Sequence, residues 1–317
     1  MKTINDYQIA HFDIGPAFAP HFKETKYSFP INSQNLSKVE NLKELDIITL
    51  KSTSKVDADV LKAMPALKAI ISRTVGANHV DLENCQKLNI SVWHIPDYGA
   101  FAIAEHVFAL LLSQTRKIIK TSQLTQKGIF DWEDGQGYTL KNKTLGIIGV
   151  GKTGKETAKI AAGFQMKVLG YDIYHDEQFA KSVKLRYVIL DELLQNSDVI
   201  SINIPLLKQT HHLIDENCIK KMKDKVILIN VSRGEIIDTK ALVNNLKKFR
   251  YIGLDVLEGE DKFDLHDPLI SKLVKSENVC LTPHIAFFTD LTTEEIAKIS
   301  YSNIENFING KTENRLV

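Results

Sequence analysis

Apolar residues in this chain come in short continuous blocks, each broken abruptly by glycine or a polar residue, with segments of helical period between them. In the first third, QIAHFDI (8–14), LDIITLK (45–51), LKAIISR (67–73) and ISVWHIP (90–96) read as strands. Continuous runs of Val, Ile and Leu mark strands buried on both faces, the condition of a parallel sheet. VDADVLKAM (56–64) reads as a helix, with Asp57 an acidic residue near its start and Pro65 its stop. This rhythm predicts a small parallel sheet flanked by helices. In AFAIAEHVFALLLSQTRKIIK (100–120) the apolar positions 103, 107, 110, 111 and 118 follow a 3.6-residue period, which predicts one long amphipathic helix. After the loop GIFDWEDGQGYTLKNK (128–143), a second series starts at TLGIIGVG and continues through MKVLGYD, DVISINIP, KVILINVS, YIGLDV and NVCLTPH. LTTEEIAKISYSNIENFING (291–310) predicts a closing helix, and the tail KTENRLV is expected to fray. No repeat or low-complexity segment interrupts the pattern.

At 317 residues the chain is long enough for two α/β domains. Forty basic and 39 acidic side chains leave a formal charge of +1, so no global field recruits nucleic acid or an anionic membrane. No stretch approaches the roughly 20 apolar residues that span a bilayer, and the N-terminus lacks a cationic segment leading into an apolar run. Cys85, Cys218 and Cys280 are far apart and form no C-x-x-C spacing, which argues against a disulfide framework or structural zinc and suits a reducing, cytoplasmic setting.

Residues 144–156, TLGIIGVGKTGKE, satisfy two phosphate-binding patterns at once. Gly149, Gly151 and Gly154 fit G-x-G-x-x-G, while Gly146 through Lys152 and Thr153 fit G-x-x-x-x-G-K-[ST]. The second needs loop where Ile147, Ile148 and Val150 read as the end of a buried strand. The first puts a strand at 144–148, a tight turn at Gly149, close backbone approach at Gly151, and helix-on-sheet packing at Gly154, continued by Ala158, Ala161 and Ala162. Asp172, closing MKVLGYD, can hydrogen-bond both ribose hydroxyls of NAD and would repel the extra phosphate of NADP. The dinucleotide reading is preferred, with NAD as cofactor.

Three later strand-like runs each end in a reactive side chain: Arg233 in VILINVSRGEIID (226–238), Glu260 in YIGLDVLEGED (251–261) and His284 in VCLTPHIAFF (279–288). Ligands of open α/β sheets bind beyond the carboxyl ends of the strands. A guanidinium fork grips a carboxylate bidentately. An imidazole exchanges protons near neutral pH. A carboxylate on its far nitrogen fixes the tautomer. Beside a nicotinamide, this set would interconvert a 2-oxo acid and a 2-hydroxy acid. Singly, Arg233 reads as well as an ion-pair former, His284 as a loop histidine and Glu260 as one acid among several; their order behind the glycine loop favours the reacting set.

The segments SRTVGANHVD, IPDYGAFAIAEHVFALLL, GIIGVGKTGKETAKIAAGFQMKVLGYD, ISINIPL, INVSRGEIID, GLDVLEGE and LTPHIA resemble the D-isomer-specific 2-hydroxyacid dehydrogenase family over nearly the whole chain. The resemblance implies two doubly wound parallel-sheet domains with a cleft between them. One is a flavodoxin-like substrate domain of residues 1–97 plus 289–317, the other a Rossmann-type NAD domain of residues 98–288. It implies an oxidoreductase in which Arg233 binds the substrate carboxylate, His284 is the acid/base and Glu260, as the second acid of E-x-E, is its partner in preference to Glu258. Asp255 would lie by the nicotinamide carboxamide. Ile204, Pro205, Thr210, Val231 and Ser232 would line the cofactor groove with Gly149, Gly151, Lys152, Thr153, Gly154 and Asp172. The N–H groups of Val75 and Gly76 would complete the carboxylate pocket. The 100–120 helix and following loop would build a homodimer interface. This chain departs from the family in having Lys152-Thr153 for the commoner Arg-Ile, and in lacking a proline after Glu260.

Ile285-Ala286-Phe287-Phe288 after His284 and Tyr98 in IPDYG look like the D-lactate dehydrogenase branch. An aromatic wall at Phe287 suits a small apolar substituent, which makes pyruvate the first expected substrate and a slightly larger 2-oxo acid the second. Glyoxylate or hydroxypyruvate comes third, and 3-phosphoglycerate is disfavoured. An NAD-gated interaction module without catalysis is the alternative class, and a P-loop NTPase a third. His211-His212 is adjacent rather than i, i+4, so one helix face cannot present both rings, and no metal is expected. His79, His94, His106 and His266 read as structural or exposed.

Overall fold

The computed structural model describes residues 3–23, 30–39 and 42–317. The chain divides into two compact units, Met1–Gly99 with Phe288–Val317, and Ala100–Phe287.

In the first unit, β1 (Ile9–His11), β2 (Ile47–Leu50), β3 (Ala69–Ser72) and β4 (Ser91–Trp93) form a parallel sheet in chain order. Every residue of β1, β2 and β3 is buried, the mainly apolar strands carrying the polar His11, Thr49 and Ser72 inside with them. Residues 30–34 run beside the other edge of β1: the His11 N–H donates to Pro30 O, whereas the Phe12 N–H donates to Thr49 O on the β2 side. Counting that segment second in chain order gives the 2-1-3-4-5 arrangement of flavodoxin-like sheets. The predicted helix is Ala58–Ala63, and Asp57 caps it, its carboxylate accepting the Asp59 and Val60 N–H groups at 3.0 Å each.

The tail does not fray. Leu316 N–H donates to Val92 O at 2.7 Å and Val92 N–H to Val317 O at 3.2 Å, so the tail pairs antiparallel with β4, and Val317 packs on the core. The free edge of β4 supplies backbone groups that otherwise lack partners, a long-range reason that tail composition does not reveal.

The second unit is a seven-stranded parallel sheet: β5 (Thr144–Ile148), β6 (Lys167–Tyr171), β7 (Leu185–Tyr187), β8 (Val199–Ile202), β9 (Val226–Asn230), β10 (Phe249–Leu254) and β11 (Val279–Leu281). Their order, β11-β10-β9-β8-β5-β6-β7, reverses between β5 and β8, the switch point at which dinucleotides bind. Apolar clusters cover the two faces. β7 has no counterpart in the sequence reading, because as an edge strand it alternates buried Leu185 with exposed Arg186 instead of forming an apolar block.

The expected single helix over 100–120 is two, Ala100–Thr115 and Ile118–Gln126, with Lys117 between them at φ 52°. The break follows from competition for the last turn: the Thr115 carbonyl accepts the Tyr138 N–H at 2.8 Å, and the Lys117 ammonium donates to Asp134 O at 2.7 Å. Nothing in the second helix is buried, so no core face continues the 3.6-residue period.

Removing residues 314–317 deletes the β4 pairing and the Val317 contact, and is expected to destabilise the first unit by about 3 kcal/mol, from three backbone hydrogen bonds to residues 92–94 and a half-buried side chain. Chemical denaturation of the truncated and full chains checks this; an unchanged midpoint would show that the tail contributes nothing.

Candidate active site

β5 ends at Ile148 and the chain turns at Gly149, whose φ of 93° strains any L side chain. Ile147 and Ile148 are buried strand and Val150 is buried beyond it, so the stretch that a P-loop needs as open loop is closed here. Gly151 caps the twelve-residue helix Lys152–Gly163, and nothing lies within 4 Å of where its Cβ would stand, which leaves the helix N-terminus open to a phosphate. A Cβ on Gly154 would overlap the Gly149 carbonyl oxygen, so this position sets how closely helix and turn pack. Ala158 and Ala161 are fully buried; Ala162, expected to share that contact, is exposed, since it lies one residue round the helix from the buried stripe.

Asp172 follows β6 and knits the two turns together: its Oδ2 accepts the Val150 N–H at 2.6 Å and its Oδ1 the Tyr174 N–H at 3.1 Å. Lys152 is exposed and Thr153 half-buried. Beyond β8 come Ile204 and Pro205, in a loop closed by Thr210, whose hydroxyl donates to Pro205 O and accepts the Leu207 N–H, both at 2.7 Å. An open helix N-terminus, a glycine-only turn and a carboxylate at the end of the adjacent strand form a cradle that fits a dinucleotide pyrophosphate and ribose.

β9, β10 and β11 are neighbours, with Asn230, Leu254 and Leu281 in register at their carboxyl ends. Arg233, Glu260 and His284 follow those ends, so all three leave the same edge of the sheet. Val231 is buried under the turn. The fully buried Asn230, which sequence reasoning passed over, shapes what comes next: its Nδ2 donates to Arg233 O at 2.8 Å, and its Oδ1 accepts the N–H (3.1 Å) and hydroxyl (2.8 Å) of Ser232. The Arg233 side chain is left exposed, with Nη1 donating to Ser232 O.

Glu260 and His284 meet: His284 Nδ1 lies 2.5 Å from Glu260 Oε1. Glu258 points elsewhere and pairs with His212 Nε2 at 2.8 Å. Gly259 at φ 71° divides the two acids, and this reversal, not a proline, turns the loop. His284 itself sits at φ 55°, a conformation that costs a non-glycine residue on the order of 1 kcal/mol. Asp255 holds it there. The Asp255 carbonyl accepts the His284 N–H at 2.8 Å, and its buried carboxylate accepts the Thr282 hydroxyl (2.6 Å), the Ile285 N–H (2.9 Å) and the Ala286 N–H (2.8 Å). His106 Nε2 stands 3.4 Å from the same carboxylate and 3.1 Å from Thr282 Oγ1. Burial pushes the Asp255 carboxyl up, but the hydrogen bonds from His106, Thr282, Ile285 and Ala286 outweigh it and hold the group below the usual carboxylate range. His106 and Thr282 carry no sequence signal for this role, because only the fold brings 106 to 255 and 282.

Phe287 meets His284 edge-on, ring centroids 6.4 Å apart. In the first unit, Val75 and Gly76 lie exposed in the loop after β3, where Gly76 O accepts the Thr74 hydroxyl at 2.6 Å and Val75 O lies 2.7 Å from His94 Nδ1. Tyr98 is half-buried in the segment after β4, next to Gly99 at φ 66°.

Residues 108–286 match the family model described as D-isomer specific 2-hydroxyacid dehydrogenase, NAD binding domain. A glyoxylate reductase of Thermococcus litoralis is 36% identical over 290 residues, covering 88% of this chain and 85% of that protein. A D-lactate dehydrogenase of Curvularia clavata is 36% identical over 275 residues, covering 83% and 78%. Among solved structures, the D-lactate dehydrogenase of Aquifex aeolicus, complexed with NAD and lactic acid, superposes with a TM-score of 0.85 at 35% identity, covering 96% of this chain and 97% of that one. With its two parallel-sheet units, its dinucleotide cradle and these relatives, the chain belongs to the D-isomer-specific 2-hydroxyacid dehydrogenases, NAD-dependent oxidoreductases of small 2-hydroxy acids.

Proposed function

We propose that this enzyme interconverts pyruvate and D-lactate, with Arg233 as carboxylate anchor, His284 as acid/base and Glu260 as its partner. The His284–Glu260 contact of 2.5 Å carries the reading. With Nδ1 engaged by Glu260, Nε2 is the atom left to exchange a proton with the substrate oxygen. When bound, the nicotinamide supplies or accepts the hydride. Arg233 would grip the substrate carboxylate through two parallel N–H donors, fixing which face of the carbonyl is presented. Asp172 would receive the ribose hydroxyls, Gly149 to Gly154 the pyrophosphate, with Lys152 and Thr153 contributing mainly backbone. Ile204, Pro205, Thr210, Val231 and Ser232 would line the groove. To the first unit we assign the N–H groups of Val75 and Gly76 and the Tyr98 hydroxyl as carboxylate donors.

Asp255 is a positioning group in this scheme. Its side chain is engaged by the turn it builds, so any part in holding the carboxamide falls to its neighbourhood and not to a free oxygen. For the substrate's side chain, the edge-on Phe287 ring favours a methyl group over hydrogen, which supports pyruvate over glyoxylate. The names of the relatives keep glyoxylate as the competing reading. A homodimer is proposed from the surface: Phe130 (94% exposed) and Trp132 (84%), with Ile118, Ile119 and Ile129, present an apolar face of the kind that marks an interface.

NADH oxidation with a panel of 2-oxo acids is expected to give kcat/KM for pyruvate about tenfold or more above that for glyoxylate, the value of one well-placed methyl group. His284→Ala should lower kcat by about 10²–10⁴-fold. Glyoxylate outrunning pyruvate would overturn the substrate assignment, and an active His284→Ala the mechanism.

Asp255→Asn is expected to destabilise the fold by about 2–4 kcal/mol by leaving buried donors unpaired, and to lower kcat about a hundredfold by releasing the His284 turn. The Asp255 carboxyl lies below its unfolded value of about 3.9, so its contribution is complete above that pH and is lost as pH falls through the folded value. The melting temperature of the parent should therefore fall more steeply below about pH 4 than that of Asp255→Asn. Parallel curves would show that Asp255 carries no such linkage.

Sedimentation of the parent should give a dimer that Trp132→Asp dissociates. A monomeric parent would remove the dimer from the proposal.

A further inference from the structure

The loops after β8 and β10 bring together a second set of donors. His211 and His212 occupy a turn, not a helix, and His212 adopts φ 51°, so consecutive side chains converge instead of splaying. Their ring centroids lie 4.0 Å apart with a 32° tilt. One nitrogen from each ring and one carboxylate oxygen of Glu258 all fall within 4.8 Å of one another. The premise that adjacent histidines cannot serve one ion holds for a helix face and fails for this turn.

Two of the three donors are held from behind. The His212 N–H donates to Glu235 O at 2.8 Å, which ties the turn to the strand-end loop below it. Glu258 Oε2 accepts the Thr239 N–H at 3.3 Å, while Oε1 lies against His212 Nε2 at 2.8 Å. His211 is exposed and borders an open depression of about 490 Å³ that it lines with Leu206, Leu207 and Lys208, giving an ion and a water access from solvent. An ion pair of His212 with Glu258 accounts for two of these donors. It does not account for a His211 nitrogen brought within 4.8 Å of both.

We propose that His211, His212 and Glu258 form a binding site for a divalent ion of the zinc class (Zn²⁺, Ni²⁺ or Cu²⁺). Two neutral imidazoles and one carboxylate are the borderline donor set that such ions select, whereas Mg²⁺ and Ca²⁺ require oxygen throughout. Around a tetrahedral centre with bonds of about 2.0–2.2 Å, donors stand roughly 3.3–3.6 Å apart. Rotation of the exposed His211 side chain closes the wider separations, and the ion replaces the His212–Glu258 hydrogen bond. The fourth position faces the depression and takes water. An ion here ties the turn after β8 to the loop after β10, which also carries Glu260, so it acts as a clasp on that loop and takes no part in the reaction.

The test uses the full chain stripped with a chelator and titrated with Zn²⁺ by calorimetry, with Co²⁺ as spectroscopic probe. One ion per chain is expected, with the visible bands of four-coordinate Co²⁺. Exposed His211 can be replaced without disturbing packing, and His211→Ala should weaken Zn²⁺ at least about tenfold and abolish the Co²⁺ bands. His284→Ala should leave both unchanged, which separates this site from chelation by the His284–Glu260 pair. Equal binding by parent and His211→Ala, loss in His284→Ala instead, or no uptake by the parent would each overturn the site.

Discussion

A buried carboxylate at the end of β10 governs the reactive edge of this enzyme. Asp255 is sealed from solvent, and an unpaired charge there would cost several kcal/mol. Three hydrogen bonds from the segment 282–286, together with His106, satisfy it, and those same bonds force the turn in which His284 takes a left-handed conformation. The cost of burying one charge is thereby converted into the fixed direction of one imidazole. Glu260 then needs only to reach across from its own loop to set the tautomer. Asn230 does the same for Arg233 with neutral groups, closing its turn with three hydrogen bonds. Both clamps lie one step behind Arg233 and His284, on strands whose apolar packing leaves them little freedom.

The cofactor side is built from backbone. Gly149 and Gly154 are glycine because one turns through a left-handed φ and the other touches a carbonyl oxygen, so the helix begins close enough to the strand for its N–H groups to face a pyrophosphate. Asp172 already holds the Val150 N–H, which makes its carboxylate part of the turn. Its other oxygen accepts the Tyr174 N–H, so both carboxylate oxygens are oriented by backbone donors, which is a structural reason for an acidic residue here.

Much of this was legible in the chain. Strands buried on both faces write themselves as unbroken Val, Ile and Leu, so the strands of both central sheets could be placed, as could the glycine turn and the three strand-end side chains. Errors fell where tertiary contacts decide. Lys117 breaks an apparently continuous helix because the loop reaching back to Thr115 takes a carbonyl the next turn would use. The tail pairs with β4 because an edge strand has groups to satisfy. The edge strand β7, half polar, has no apolar block by which to be read.

What composition and order determined by themselves was the parallel α/β architecture, the dinucleotide loop and the place of Arg233, Glu260 and His284 after three strand ends, since each depends on residue type at close spacing along the chain. Only the tertiary structure decided that Asp255 and His106 stand behind His284, and that His211, His212 and Glu258 converge. Those pairings join residues up to 176 positions apart, as between His106 and Thr282. Their geometry comes from strand register and from left-handed turns at Gly259, His284 and His212, and local sequence carries no measure of either.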